Sequence, residues 1–185
     1  MSDQANGLLS PWLRRKRFAK VMPHMIGKVL DFGCGIGEFS KHCNPKRYLG
    51  FDVDKASLET ARRKHPEFTF SEEIRATEKF DTIVLLAVLE HLKEPESILK
   101  ELGRKLEPKG RIILTTPCSI ARFFHTIGAH LGLFSRDASE EHHRLLDYAD
   151  VSILAENSEL KITHYSKFLL GMNQLFILEK RILRP

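Results

Sequence analysis

The chain has 185 residues, 42% of them hydrophobic and 29% charged, with a formal net charge of +5 and a pI near 9.2. This balance is typical of a folded globular protein and excludes long disorder and fibrous repeats, while the length suits one α/β domain. The longest apolar runs, such as residues 83–89, are too short to cross a bilayer, and residues 1–10 do not have the order of a secretion signal, so we expect a cytoplasmic protein.

The first predicted element is a basic helix near the N-terminus. Its positive side chains are Arg14, Arg15, Lys16, Arg17 and Lys20. We interpret them as a solvated helix face, because the apolar side chains among them can cover the core from the other side. Those apolar side chains are Trp12, Leu13, Phe18 and Val21. Docking of the basic face onto nucleic-acid phosphates is the less favoured alternative.

Downstream, short apolar runs alternate with longer segments of helical spacing, which predicts a parallel sheet wrapped by helices. The runs are mostly continuous, as expected of strands covered on both faces. The strand candidates are residues 28–32, 48–51, 68–70, 82–86 and 111–116. Asp54 is placed to cap one crossover helix. Pro95 opens another, which carries apolar residues as far as Leu106 before Pro108 and Gly110 end it.

The C-terminal segment predicts an antiparallel hairpin. Two strand-like runs, residues 160–170 and 174–180, are joined by Gly171, Met172 and Asn173. The preceding stretch is too long for a plain crossover loop, and we expect it to cap a ligand pocket. The predicted parts of this single domain are an N-terminal helical segment (1–26), a ligand-binding core (27–118), the cap (119–146) and a last helix with the hairpin (147–185).

The strongest motif is a glycine-rich turn between the first strand and a predicted helix, in which Asp31 is followed by Gly33, Gly35 and Gly37. Alternate glycines allow positive φ and remove side chains, so a ligand can lie against the backbone. The third glycine comes one position earlier than in the dinucleotide fingerprint G-x-G-x-x-G. Asp31 would repel a pyrophosphate by about 1 kcal/mol and favours a cationic ligand. S-adenosylmethionine, which carries a sulfonium and an ammonium and no phosphate, meets that requirement.

The D-x-G-x-G-x-G turn, the Gly50-Phe51-Asp52 end of the second strand and the fourth-strand segment 79–92 together resemble the class I S-adenosylmethionine-dependent methyltransferases. The resemblance extends over most of the chain. It implies a Rossmann-like, doubly wound, mostly parallel sheet of seven strands that ends in the antiparallel hairpin. It also implies methyl transfer from S-adenosylmethionine to a small molecule.

The resemblance further implies which residues contact the cofactor. An acidic residue at the end of the second strand binds the ribose hydroxyls, and Asp52 holds that place. Leu86 and Ala87 flank the methionine part, together with the middle of the glycine turn. Glu72 or Glu73 holds the adenine amine. The implied cofactor-binding residues are Asp31, Gly33, Cys34, Gly35, Asp52, Glu72, Glu73, Leu86 and Ala87.

The catalytic candidates are histidines, because an acceptor hydroxyl must lose a proton whereas a carboxylate or phenolate need not. In the small-molecule branch of the family a histidine before the last crossover helix borders the acceptor, and here His142 and His143 occupy that stretch. His91, after the fourth strand, is the third candidate, and its alternative role is to bond the backbone. Ala87 stands where some quinone-type O-methyltransferases have a glutamate of a metal site, so no metal is predicted.

Two rival functions stay open. An RNA methyltransferase would use the basic helix, and Cys118 resembles the nucleophile of RNA cytosine-5 enzymes, although their companion Pro-Cys after the fourth strand is replaced by Ala87-Val88. Because Cys34, Cys43 and Cys118 have no CxxC spacing, we interpret all three as reduced thiols. The other rival is a domain that binds the cofactor and regulates a partner without turnover. The favoured acceptor is a small molecule, such as a sugar, lipid or aromatic hydroxyl.

Overall fold

The computed structural model describes residues 10–117 and 146–181. Its strands are β1 (Val29–Phe32), β2 (Tyr48–Phe51), β3 (Thr69–Ser71), β4 (Phe80–Leu86), β5 (Leu106–Pro117), β6 (Leu160–Phe168) and β7 (Asn173–Lys180). They form one sheet in the order β3-β2-β1-β4-β5-β7-β6. β1 to β5 are parallel, whereas β7 pairs antiparallel with both β5 and β6. The predicted α/β fold with an antiparallel C-terminal hairpin is confirmed.

Helices pack against both faces of the sheet and enclose two apolar clusters. The described α-helices are α1 (Ser10–Val21), α2 (Lys55–Lys64), α3 (Pro95–Lys105) and α4 (Tyr148–Asn157). On one face, the helices contribute Phe18, Val21, Leu58 and Ala61. On the other face, they contribute Leu99, Leu102, Val151 and Ala155. Strand side chains alternate between the two clusters, so both faces of the sheet are covered, as the continuous apolar runs predicted.

The crossover helices begin where the sequence predicts them, but α3 ends early. The Asp54 carboxylate accepts a hydrogen bond from the Ala56 N–H at 3.3 Å and caps α2. The helix α3 stops before Leu106, which already belongs to β5. Pro108 and Gly110 therefore lie inside the strand. The register between β5 and β4 shifts at this point. Leu106 pairs with Phe80 and the next pair is Arg111 with Thr82, so β5 has more residues than β4 between these two pairs. The additional residues form a bulge.

The glycine turn is followed by a short 3-10 helix, Ser40–His42, and not by the α-helix that the sequence predicts. A second 3-10 helix, Pro45–Arg47, follows at once and leads into β2. Because Pro45 and the start of β2 come so soon after the turn, the chain has no room for a longer helix.

The helix α1 differs from the predicted solvated face in two side chains. Phe18 and Val21 are buried as expected, but Trp12 is 48% exposed. Arg17 is partly buried, and its Nε donates to Asn173 Oδ1 at 3.0 Å. This bond ties α1 to the first residue of β7, so Arg17 is not part of a purely solvated face. Within the described ranges, no helix has the length and apolarity that a bilayer span requires.

Candidate functional site

The candidate site lies at the edge of the sheet where β1, β2, β4 and β5 end and β7 begins, which we call the carboxyl edge. Asp31 pairs with Gly50 of β2 and with Val84 of β4, so these three strands end at one level. Ligands of open α/β sheets bind beyond the carboxyl ends of the strands, beside the point where the strand order reverses. Here β1 has β2 on one side and β4 on the other, so the glycine turn sits at that point.

The three glycines of the turn have positive φ but different neighbours. A Cβ on Gly33 would meet Val88 at 2.6 Å. One on Gly37 would meet the Phe70 ring at 2.7 Å. Nothing lies within 4 Å of the corresponding position at Gly35, where φ is +53°. Gly33 and Gly37 therefore make room for the side chains of Val88 and Phe70, whereas Gly35 faces open space.

Asp52, at the end of β2, is fixed next to Gly35. Its Oδ2 accepts from the Gly35 N–H at 2.7 Å, and its Oδ1 accepts from the Asp54 N–H at 3.0 Å. The carbonyl of Phe51 accepts from the first two N–H groups of the turn at 2.8 and 3.0 Å. Each carboxylate oxygen of Asp52 keeps acceptor capacity for a further donor. The predicted ribose acid thus stands beside the open space of the turn.

Asp31 differs from its predicted environment. Its side chain is 2% exposed and accepts from the Tyr48 hydroxyl at 2.8 Å. Burial raises the pKa of the Asp31 carboxyl to about 7; the bond from Tyr48 opposes this effect and the charge of Asp52 adds to it. Near pH 7 the group is therefore divided between its protonated and ionised forms. The electrostatic preference for a cationic ligand rests on the more accessible Asp52 rather than on Asp31.

Cys34 lies in the turn with its thiol directed inward. A Cβ on Gly50 would meet its Sγ at 3.0 Å, and burial raises the pKa of the thiol well above its usual range. The thiol is therefore protonated and packed inside the protein. The predicted contact of Cys34 with the cofactor would then be made by its backbone. Burial also raises the pKa of Cys43, to about 12. Cys118 lies outside the described residues.

The two adenine candidates, Glu72 and Glu73, line a cavity of about 330 Å³ at the carboxyl edge. Phe32 and Phe51 form part of its wall, with their ring centroids 4.8 Å apart. Glu72 also forms an ion pair with Lys55 at 3.2 Å. Both glutamates follow β3 and border the same space, so the geometry is equally compatible with either as the adenine partner.

Leu86 and Ala87 lie where β4 leaves the sheet. Ala87 has a φ of +59°, and its N–H donates to the Thr115 carbonyl at 2.9 Å. A positive φ at a residue with a Cβ costs about 1 kcal/mol, and such conformations concentrate at functional sites. The bend brings Val88 onto Gly33, so the end of β4 lies against the glycine turn. Both residues are therefore at the carboxyl edge, and their contact with the methionine part of the cofactor stays a prediction.

The short 3-10 helix Leu89–His91 follows, and it exposes His91 while it buries Glu90. Sequence reasoning selected His91 and passed over Glu90. The only sequence signal for Glu90 was its position between Leu89 and His91. That position does not show whether the side chain is buried, because the segment follows neither strand nor helix periodicity. The other catalytic candidates, His142 and His143, lie outside the described residues. In residues 10–117 and 146–181, no three His, Cys, Asp or Glu side chains are grouped closely enough to hold a metal ion.

Comparisons with known proteins agree with this geometry. The sequence matches the family model described as a methyltransferase domain over residues 6–165. Ubiquinone biosynthesis O-methyltransferase from Pseudomonas fluorescens is 31% identical over 101 residues, which are 48% of this chain and 44% of that protein. The chain thus matches less than half the length of this curated relative.

Solved structures resemble the whole fold at low sequence identity. An S-adenosylmethionine-dependent methyltransferase from Clostridium acetobutylicum superposes with a TM-score of 0.70 at 12% identity, covering 94% of this chain and 96% of that one. Magnesium protoporphyrin IX methyltransferase from Synechocystis, solved with bound SAH, superposes with a TM-score of 0.65 at 17% identity, covering 91% of this chain and 82% of that one. At such identities the resemblance concerns the fold.

Proposed function

The chain belongs to the class I S-adenosylmethionine-dependent methyltransferases, and from this premise we propose that it transfers a methyl group to a hydroxyl of a small molecule. The observation that carries the proposal is the position of Asp52 beside the open space at Gly35. A fixed carboxylate at this point offers two acceptor oxygens to a diol. The same charge disfavours a diphosphate there.

The residues of the carboxyl edge fit this cofactor. Asp52 would accept the ribose hydroxyls, and the backbone around Gly35 would border the methionine part. The cavity is lined by the Phe32 and Phe51 rings and by glutamates, a combination that suits a base with an exocyclic amine. Leu86 and Ala87, at the end of β4, would border the methionine part from that side. When bound, S-adenosylmethionine supplies a methyl group on a positively charged sulfur, activated for in-line displacement.

The protein's contribution would then be position and surroundings. Holding acceptor and methyl donor in line can account for roughly 7 to 11 kcal/mol of the barrier. We assign the acceptor to the β4, β5 and β7 part of the carboxyl edge, because the turn and β2 would be taken by the cofactor. A hydroxyl acceptor is favoured because the curated relative is named an O-methyltransferase.

The proposal is tested by calorimetry with S-adenosylmethionine, followed by a screen with radiolabelled cofactor. The acceptors are phenols, sugars, carboxylates and RNA, each at low and high salt. We expect the cofactor to bind, NAD not to compete with it, and label to appear in a phenol or sugar with little dependence on salt. Labelling of RNA that falls steeply with salt would replace this proposal with an RNA methyltransferase. Tight binding without any product would favour the regulatory alternative.

A further inference from the structure

Glu90 is a buried carboxyl at the carboxyl edge that none of the roles above uses. Its side chain is 5% exposed, although it lies in the turn that leaves β4. In the described part of the chain, its Oε2 accepts no hydrogen bond. Buried polar atoms are nearly always paired, so an unpaired carboxylate oxygen at a ligand-binding edge indicates a partner that arrives from outside the protein.

The groups around Glu90 come from two other elements of the same edge. Arg17 of α1 places a positive charge near the carboxyl, and Thr116 of β5 faces it with a hydroxyl. Arg17 is held in place by the bond from its Nε to Asn173, which is itself buried. Arg14 adds a further positive charge beside Arg17. Among the described residues, these are the charged and polar side chains that bear on Glu90, and they lie on the β4, β5 and β7 side assigned to the acceptor.

Burial raises the pKa of the Glu90 carboxyl to about 7, against the opposing effects of its own backbone N–H, the Arg17 charge and the Thr116 hydroxyl. A base is most effective when its pKa is near the working pH, because it is then both ionised and basic enough to take a proton. An exposed glutamate titrates near 4.3 and is a poorer base at pH 7.

Resting on the proposed function, we propose that Glu90 is the catalytic base that removes the proton from the acceptor hydroxyl. Oε2 takes the proton while the acceptor oxygen forms its bond to the methyl carbon. The carbon–sulfur bond breaks in the same displacement, and its electron pair stays on the sulfur, which becomes a neutral thioether. The carboxylate ends protonated and returns the proton to solvent after release of the products. Arg17 favours the ionised carboxylate before transfer.

The first test needs no acceptor. Protein labelled with ¹³C at the glutamate side-chain carboxyl is titrated by NMR in complex with S-adenosylmethionine and with S-adenosylhomocysteine, and the Glu90→Gln spectrum assigns the signal. A base beside the transferred methyl must feel the sulfonium, which only the first ligand carries. We expect the Glu90 pKa to be lower by about half a pH unit or more with S-adenosylmethionine. Equal values in two complexes that both form would overturn the role of Glu90 and leave the proposed function intact.

The second test uses any phenol or sugar methylated in the screen. Glu90→Gln should lower kcat by about 100- to 10,000-fold and abolish the rise of kcat with pH near 7. With a phenol, the rate of the variant should recover as the pH approaches 10, where the acceptor ionises without help. The control is Glu94→Gln, which makes the same change at an exposed position of the next turn. An unchanged pH profile in Glu90→Gln would overturn the proposal, whereas failure of both ligands to bind would overturn the proposed function itself.

Discussion

Asp52 combines two roles, because it closes the glycine turn through Gly35 and offers its remaining acceptor capacity to the open space. We predict that Asp52→Ala weakens binding of S-adenosylmethionine by about 1 to 3 kcal/mol, the contribution of charge-assisted hydrogen bonds. Calorimetry measures this change. The control is Asp54→Ala, which removes the cap of α2 and should cost about 1 kcal/mol of stability with little effect on affinity. Equal affinity in wild type and Asp52→Ala would contradict the ribose assignment.

Gly35 and Gly37 make a matched pair that separates ligand binding from packing. Gly35→Ala adds a methyl group to open space at a φ of +53°, so the chain should fold with a loss of about 1 kcal/mol while the cofactor is hindered. Gly37→Ala would place a methyl group 2.7 Å from the Phe70 ring and 3.1 Å from Ala61, which should destabilise the protein further. Thermal melts and calorimetry report the two effects. Normal cofactor affinity in Gly35→Ala would show that the ligand lies elsewhere.

At the scale of single residues, the sequence predicted which residue types line the candidate site better than it predicted which side chains are buried. The acid at the end of β2 was identified because it follows a recognisable strand and turn. Asp31 was expected to be open to a ligand, but it is buried against Tyr48, a residue 17 positions away along the chain. Glu90 was passed over because it follows a bend at Ala87, where periodicity no longer tells which side chain points inward.

At the scale of elements, continuous apolar runs predicted all five parallel strands, since burial on both faces leaves a strong local signal. The start of β5 was missed because Pro108 and Gly110 resemble a helix stop, yet a bulge accommodates both inside the strand. The prediction of an α-helix after the glycine turn was also wrong, in this case because of the neighbouring strand and not because of a local stop signal. The local sequence permits a helix there, but the early start of β2 leaves only 3-10 turns.

The link between α1 and β7 gives a prediction at this scale. Arg17→Ala should destabilise the protein by about 1 kcal/mol, because a partly buried hydrogen bond to Asn173 is lost. It should also raise the pKa of Glu90 further, since the positive charge that favours the ionised form is removed. Urea unfolding and the ¹³C titration measure the two changes. Arg15→Ala, an exposed position on the same helix, should alter neither. If the pKa of Glu90 is the same in Arg17→Ala and in the wild type, α1 does not contribute to the electrostatics of the site.

At the scale of the molecule, part of the proposed cofactor side was predictable because Asp31, the glycine turn and Asp52 lie close together along the chain. The proposed acceptor side was not predictable in this way. Arg17 and Asn173 are 156 positions apart, and Glu90 lies between them in sequence. Only the folded sheet, with β7 inserted beside β5, brings α1, the turn after β4 and the start of β7 to one edge. Residues so far apart form no contiguous sequence motif, so the sequence alone could not predict that they lie together.

The two buried carboxyls should also make the stability of the whole protein depend on pH. Burial raises the pKa of both Asp31 and Glu90 to about 7, so between pH 5 and pH 7 the folded state holds more protons than the unfolded chain. The free energy of unfolding must therefore fall as the pH rises through this range. For Glu90, a rise of the pKa from its ordinary value of 4.5 to about 7 corresponds to a loss of stability on the order of 3 kcal/mol.

Glu90→Gln removes this penalty, because an amide carries no charge at any of these pH values. We predict that the variant and the wild type have similar free energies of unfolding at pH 5. Between pH 5 and pH 8, the free energy of unfolding of the variant should rise relative to that of the wild type by an amount on the order of 3 kcal/mol. Urea unfolding at the two pH values measures the gain. Glu94→Gln, at an exposed glutamate, should show no such gain. A gain equal in both variants would mean that the Glu90 carboxyl titrates as an ordinary surface group, and that it is not buried in the manner described.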